Sequence, residues 1–280
     1  MQVVLLNPGQ MGERVGFAAW AGATVVRWVS EGRGPATRER AERAGLVDSG
    51  SLQEALAVAD VVLSVVPPAS ALATARSVAA FGFRGLYADL NAVSPMTAAD
   101  VADAVTAAGA AYVDGGIIGP PPRERGDARL YLAGSRAADV QSLFGGSVMD
   151  ARVLDSSHNS TSASALKMAY AGWTKASSAL LMNVRALARA CQVEGALLDE
   201  WDISQPGVRN RSDQAATGNA HKAWRFIGEM EEIAATMTAS GLTPGFHTGA
   251  AELYSSLERF KDDFDADPAE IYAAIASDDA

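Results

Sequence analysis

Cysteine is almost missing from this chain. Cys191 is the single one in 280 residues, so no internal disulfide can form and a reducing compartment suits the composition. Its setting, ALARACQV, predicts a small buried apolar role rather than a nucleophile. No apolar run of about 18 residues occurs, so no membrane-spanning helix is expected. The chain enters a strand at once, without the basic and hydrophobic segments of a secretory leader, and a cytoplasmic location is expected. Basic side chains are in deficit, 23 against 33 acidic ones for a formal charge of -10. That balance argues against a nucleic acid or an anionic membrane as the main partner. The three histidines, His158, His221 and His247, stand far apart without close carboxylates, so no metal site is expected. What is abundant is apolar side chain, 49% of the residues, ample for one large or two medium domains.

The stretch Met1–Gly12, MQVVLLNPGQMG, organises the rest. Gln2–Leu6 is a short, largely apolar run and predicts a buried strand; a glycine turn follows, and Glu13–Trp20 predicts a helix. Strand, glycine turn and helix form the entry to a dinucleotide-binding unit, where backbone N–H groups and the helix N-terminus meet a pyrophosphate. The G-x-G-x-x-G pattern stands here as Asn7-Pro8-Gly9-Gln10-Met11-Gly12. Gly9 allows close approach of the phosphates and Gly12 lets the helix pack on the strand. Asn7 replaces the first glycine and tolerates the left-handed conformation better than most residues. An ordinary strand-to-helix turn is the alternative; the position directly after a strand favours the nucleotide.

A second strand is expected at Thr24–Val29, followed by Ser30-Glu31-Gly32-Arg33-Gly34 and a helix from Pro35. At this strand end an acid binds the free 2′-hydroxyl of NAD, whereas an arginine accommodates the 2′-phosphate of NADP. Ser30 and Arg33 favour NADP, with Arg38 and Arg40 as helpers; Glu31 is the residue that would select NAD. Ser51–Ala59 predicts a short helix with Ser51 and Glu54 at capping-box spacing. Asp60–Val66 predicts a strand buried on both faces, stopped by Pro67-Pro68, so Val66 and Pro67 are expected to flank the cofactor. A helix at Ala69–Ala80 and a strand at Leu86–Leu90 bring Asn91 to the crevice. There its amide holds the nicotinamide ribose or the substrate, or bonds its own turn. Ala110–Asp114 is the next strand, and the following GGIIGPPP is expected to be a stiff loop. Strands at Arg129–Ala133 and Arg152–Leu154, with a helix at Ala137–Phe144, complete the alternation. It predicts an α/β chain: an N-terminal Rossmann doubly wound sheet over 1–157, then an all-α C-terminal domain over 158–280.

Beyond Asp155 no alternating strand recurs. Ser160–Cys191 predicts one long helix with Leu166, Tyr170, Trp173, Ser177, Leu180, Leu181, Val184 and Leu187 in one apolar stripe. Such a helix suits a spine between domains and a dimer surface. Lys167 lies beside the stripe; on periodicity alone it is a snorkelling surface lysine. Leu197–Ile203, Asn219–Ser240 and Thr248–Phe260 are further helical segments, and Lys261–Ala280 is expected to be peripheral with at most one short helix.

The N-terminal motif, the parallel-sheet pattern and a lysine early in a long interdomain helix together resemble the β-hydroxyacid dehydrogenase superfamily. That superfamily includes 3-hydroxyisobutyrate and 6-phosphogluconate dehydrogenases, and the imine reductases are its relatives. DGGIIGPPP, SALKMAYAGWTK and KAWRFIGEMEEIA are similar to a phosphogluconate-dehydrogenase-like branch whose C-terminal domain has no settled function. The resemblance implies that Lys167 in SALKMAY is the catalytic acid/base and Asn91 the cofactor-side polar residue. It also implies a homodimer in which each C-terminal domain closes the partner's cleft. Hydride from the nicotinamide then reaches a carbonyl carbon while the lysine protonates the oxygen. Three departures matter. Ile117-Ile118-Gly119 replaces the family's Ser-Gly-Gly substrate motif, Ala171 stands where an Asn often follows the lysine, and Ser160–Ser164 replaces a glycine-rich approach. Substrate contacts are therefore assigned to Ile118, Gly119, Tyr170 and Thr174, with Trp201, Arg209, Arg211, Lys222 and His247 as further candidates. The expected function is an NADP-dependent oxidoreductase acting on the carbonyl or hydroxyl of a small organic acid. The alternatives are an imine reductase, in which Asp or Tyr commonly stands where Lys167 does, and a non-catalytic NADP-binding sensor.

Overall fold

A computed structural model describes residues 1–155 and 160–276. The chain divides into two compact units, Met1–Met168 and Ala169–Ala280. The division falls inside a helix; the boundary expected at 157/158, and His158 with it, lies outside the described residues.

The first unit alternates strand and helix. In order it runs β1 (Gln2–Leu6), α1 (Gln10–Ala19), β2 (Val25–Trp28), α2 (Pro35–Arg43), β3 (Val47–Asp48), α3 (Leu52–Ala57) and β4 (Val61–Ser64). Then follow α4 (Ala71–Ala80), β5 (Leu86–Asp89), α5 (Pro95–Ala107), β6 (Ala111–Ile118), β7 (Arg129–Ala133), α6 (Ala137–Ser142) and β8 (Asp150–Val153). The eight strands form one sheet in the order β3-β2-β1-β4-β5-β6-β7-β8. Every pairing is parallel except β6 with β7. Period-two alternation gives the sheet two cores. Val3, Leu5 and Leu63 pack with Val15 and Trp28 on one face, and Val4, Leu6 and Val62 pack with Tyr87 and Val101 on the other. The strand order reverses between β1 and β4, so their carboxyl ends open the crevice where such sheets bind ligands.

The expected loop at GGIIGPPP is in part strand. β6 continues through Gly115, Gly116 and Ile117 to Ile118, because β7 pairs with it from Asp114↔Ala133 to Ile118↔Arg129 and satisfies its backbone. The loop proper begins at Gly119, whose φ of +123° suits glycine alone. The two-residue β3 is too short to announce itself by periodicity.

The helix α7 (Ser162–Ala190) begins in the first unit and continues into the second. The second unit adds α8 (Glu194–Ser204), α9 (Val208–Asn219), α10 (Trp224–Ala239), α11 (Gly245–Ser255) and α12 (Pro268–Ala276). Within it the residues of α7 that are covered are mainly alanines, Ala171, Ala179, Ala186 and Ala188, together with Met182, while Trp173, Leu180 and Leu187 of the expected stripe are exposed. Small side chains let neighbouring helices approach closely. Tyr254 on α11 meets the ring of Phe226 on α10 edge-on at 5.2 Å and donates its hydroxyl to the Lys175 carbonyl, 2.8 Å away. Arg185 ties three segments. It bonds Glu194 at 2.6 Å, Ser212 at 2.6 Å and Asp213 at 2.9 Å, and its guanidinium lies 5.2 Å from the Tyr272 ring.

Three expectations change here. Helix α9 was not foreseen, because VRNRSDQAATGN is mostly polar and shows no apolar stripe; its buried residues are Ser212, Ala215 and Ala216. The C-terminal segment is not peripheral, since Ile271, Tyr272 and Ala274 of α12 are buried. Cys191 is exposed, because it lies past the end of α7 where the chain turns away through Gln192 at φ +58°.

Candidate active site

The β1–α1 turn is built as its residue types require. Asn7 adopts φ +68°, the left-handed region it tolerates, and its amide donates to the Val65 carbonyl at 3.3 Å, joining the ends of β1 and β4. A Cβ on Gly12 would overlap the Asn7 carbonyl, so Gly12 is required by the turn itself. Gly9 is different: a Cβ there would meet only the Asn7 amide nitrogen at 3.7 Å. Packing within the protein leaves Gly9 room for a side chain, and the open space lies at the N-terminus of α1, which has no side-chain cap. An uncapped helix start with clear space before it fits a pyrophosphate. Pro8 offers its carbonyl to Arg40 at 2.9 Å, and Gln10 and Met11 open the helix. Glu13 would repel an anion, but Arg43 binds it at 2.7 and 2.9 Å and holds its carboxyl below the ordinary range.

After β2, Ser30 is buried and the loop folds back on Gly50, whose carbonyl accepts from Ser30 and Glu31. Arg38 donates to the carbonyls of Ser30 and Arg33 at 3.0 and 3.2 Å. Arg38 thus shapes this loop and Arg40 the β1–α1 turn through backbone acceptors, whereas the exposed Arg33 side chain meets, among the described residues, Asn7 at 3.4 Å. Of the three arginines, Arg33 is the one whose guanidinium is least committed.

A buried polar row crosses the last residues of β4 and β5 and the middle of β6. The register sets Ser64 beside Asp89 and Asp89 beside Asp114. Asn91 donates its side-chain amide to Ser64 at 3.1 Å and to Asp89, and accepts from the Val66 N–H at 2.6 Å. Asn91 is therefore 3% exposed and spends its donors inside the protein; through Val66 it shapes the turn that enters Pro67-Pro68. Burial pushes Asp89 up to about 7, against the bonds from Asn91 that favour the ionised form. Burial likewise pushes Asp114 up to about 6, and hydrogen bonds from Ser164 act the other way.

Lys167 sits on the second turn of α7, half-buried, directly over β6. A Cβ on Gly116 would stand 3.1 Å from the Lys167 Cβ and 2.7 Å from the Ala163 carbonyl, so the helix rests on bare strand backbone here. Ile118 is buried in the strand, and a Cβ on Gly119 would overlap the Asp127 carbonyl. The first unit thus brings together the glycine turn, the Val66–Pro67 turn, Asn91, Gly116 and Lys167 at one edge of the sheet.

In the second unit, Tyr170 is exposed and Thr174 returns its hydroxyl to the Tyr170 carbonyl at 3.1 Å. Trp201 and His247 are buried, and burial lowers the pKa of His247. Arg209 is engaged by Asp199 at 3.1 Å and Asp202 at 2.7 Å. Arg211 is exposed, and Lys222 is half-buried with its pKa lowered by burial. Among the described residues no cluster of histidine, cysteine and carboxylate side chains could hold a metal. No helix among them is long and apolar enough to cross a membrane.

Sequence reasoning missed Asp89, Asp114, Ser64 and Ser164 as members of the site's support. A signal existed. Two strands carry a similar triplet, Tyr87-Ala88-Asp89 and Tyr112-Val113-Asp114, and an acid inside an apolar strand needs partners.

The sheet order, the glycine turn at its switch point and the all-helical second unit define a Rossmann dehydrogenase fold. Residues 188–257 match the family model described as a domain of unknown function, DUF1932. No curated protein matches the chain in sequence. Among solved structures, one similar chain is a conserved protein of unknown function, described as structurally similar to 3-hydroxyacid dehydrogenases. It is 25% identical with a TM-score of 0.70, covering 93% of this chain and 98% of that one. The Mycobacterium tuberculosis 3-hydroxyisobutyrate dehydrogenase with L-serine has a TM-score of 0.71 at 16% identity, covering 99% of each chain. A reductive aminase from Aspergillus terreus, in complex with NADPH, cyclohexanone or a keto ester among its ligands, reaches 0.56 at 17–18% identity, covering 96–97% of this chain and 97–98% of that one. The chain thus has the fold of the NAD(P)-dependent oxidoreductases that include these dehydrogenases and aminases.

Proposed function

We propose that this protein is an NADP-dependent oxidoreductase acting on the carbonyl or hydroxyl carbon of a small organic acid, with Lys167 as general acid/base. One observation carries the reading. Lys167 is pressed onto the bare backbone of β6 at Gly116, at the same sheet edge as the glycine turn with its open, uncapped helix start. The bound cofactor supplies or accepts the hydride. The protein's own residues do the rest. The Asn7–Gly12 turn and the start of α1 hold the pyrophosphate, Arg33 pairs with the 2′-phosphate, and Val66 and Pro67, set by Asn91, line the cofactor's path. In reduction the Lys167 ammonium gives a proton to the carbonyl oxygen; in oxidation its neutral amine takes the hydroxyl proton. Within the first unit, Ile118 and Gly119 are the proposed substrate-side positions.

We also infer a homodimer. Trp173, Leu180 and Leu187 follow one another at steps of seven on α7 and are 68%, 62% and 64% exposed. Large apolar side chains aligned and open to water mark an association surface.

The experiment is a turnover assay over ketones, aldehydes and imines with NADPH. Lys167→Ala should cut kcat by at least about a hundredfold, the low end for a general acid, with NADPH binding nearly intact. Undiminished turnover removes the lysine from the chemistry. NADPH binding without turnover of any substrate makes the protein a sensor.

A further inference from the structure

Asp114 occupies an unusual station for a carboxylate. It is fully buried in the middle of the apolar strand β6, yet it accepts from the Ser164 N–H at 2.8 Å and the Ser164 hydroxyl at 2.6 Å. The N–H of Ala163 acts on the same carboxylate. Ala163 and Ser164 are the second and third residues of α7, whose N–H groups have no acceptor within the helix. The usual remedy is a side chain just before the helix. Here the acceptor comes from another element, fifty residues earlier. A negative group at this end is also favoured by the helix dipole.

The consequence is positional. Asp114 and Gly116 are two residues apart on β6 and so share one face, and that face meets α7. Ser164 and Lys167 are three apart on α7 and share one side of the helix. The strand therefore grips the helix at two successive points: Asp114 on Ser164 by hydrogen bonds, and Gly116 under Lys167 by contact. The first grip fixes the rotation and height of the first turn; the second needs that height to be right.

We propose that Asp114 is a positioning residue for Lys167: by capping α7 from β6 it holds the ε-amine at the place where the proton is transferred. The proposal rests on the catalytic reading of Lys167. Asp114 touches neither substrate nor cofactor and acts only through the helix.

A double-mutant cycle tests it, with kcat and NADPH affinity measured for the full chain, Asp114→Asn, Lys167→Ala and the double variant. Asparagine keeps one acceptor but turns an amide toward the helix N–H groups. Asp114→Asn should lower kcat by about tenfold, within the range for a displaced catalytic group, with NADPH affinity changed less than about twofold. In the Lys167→Ala background it should lower kcat no further. A second readout needs no substrate: labelling of each lysine by an amine-reactive reagent, followed by peptide mass spectrometry. Labelling of Lys167 should change at least about threefold in Asp114→Asn while the other three lysines, Lys175, Lys222 and Lys261, keep their rates. Ser164→Ala, which removes only the hydroxyl bond, should show the same signature more weakly and serves if Asp114→Asn does not fold. An equal loss of kcat in both backgrounds, or unchanged labelling of Lys167, overturns the positioning role while leaving Lys167 catalytic. If Lys167→Ala itself retains its turnover, the lysine reading fails first, and the positioning role with it.

Discussion

Single residues in this protein divide into those held for the fold and those left open for a ligand. Gly12 and Gly9 stand three positions apart, yet a Cβ would collide with backbone only at Gly12. The same contrast separates the arginines. Arg38, Arg40 and Arg43 are each tied to a carbonyl or a carboxylate, while Arg33 reaches Asn7 at only 3.4 Å. Arg33→Ala should therefore weaken NADPH binding by at least about tenfold, as expected for loss of a charge-assisted contact to a phosphate, and NADH binding far less. Fluorescence titration of the two cofactors measures the difference; equal losses would point to a change in folding.

Between elements, the decisive contact is β6 against α7. The strand carries Gly116 where it passes beneath the helix, and Gly116 has no space for a methyl group before the Ala163 carbonyl at 2.7 Å. Gly116→Ala must lift the first turn of α7 or bend the strand. We expect a loss of about 1–3 kcal/mol in stability, the ordinary range for overpacking, together with a fall in kcat, since Lys167 rides on the displaced turn. Chemical denaturation and steady-state kinetics on the same variant check both. By contrast, α9 depends on Arg185, whose bonds to Ser212 and Asp213 hold a helix with little apolar surface of its own.

For the whole molecule, charge and association set the behaviour in solution. Asp89 and Asp114 are raised by burial to about 7 and about 6, against about 3.9 for an unfolded aspartate. Over that interval the folded chain binds more protons than the unfolded one, so stability falls as pH rises through the two values. The slope is about 1.4 kcal/mol per pH unit for one proton. Glu13, Glu54, Asp127 and Asp150 are shifted the other way and act only at acid pH. Denaturation between pH 5 and 8, about that window, should show the decline, and Asp89→Asn should flatten it. Association is tested separately. Leu180→Lys, at the middle of the exposed α7 row, should shift light-scattering mass from dimer to monomer without loss of helical signal.

Much of this was legible in one dimension. Short continuous apolar runs specify strands of a parallel sheet covered on both faces, and Asn7-Pro8-Gly9-Gln10-Met11-Gly12 after the first of them specifies a glycine turn, because both signals are local. Ser51 and Glu54 form the capping box that their spacing announced. The course of GGIIGPPP was not legible, since only pairing with β7 makes glycines 115 and 116 a strand. Nor was the buried face of α7, where alanines and Met182 are covered while Trp173, Leu180 and Leu187 stand out. The reach of Asp114 to Ser164 likewise joins residues fifty positions apart. Backbone propensity and periodicity act over a few neighbours and are written in the chain. Which side chain is buried, and which carboxylate meets which helix, is decided only when distant segments compete for the same space.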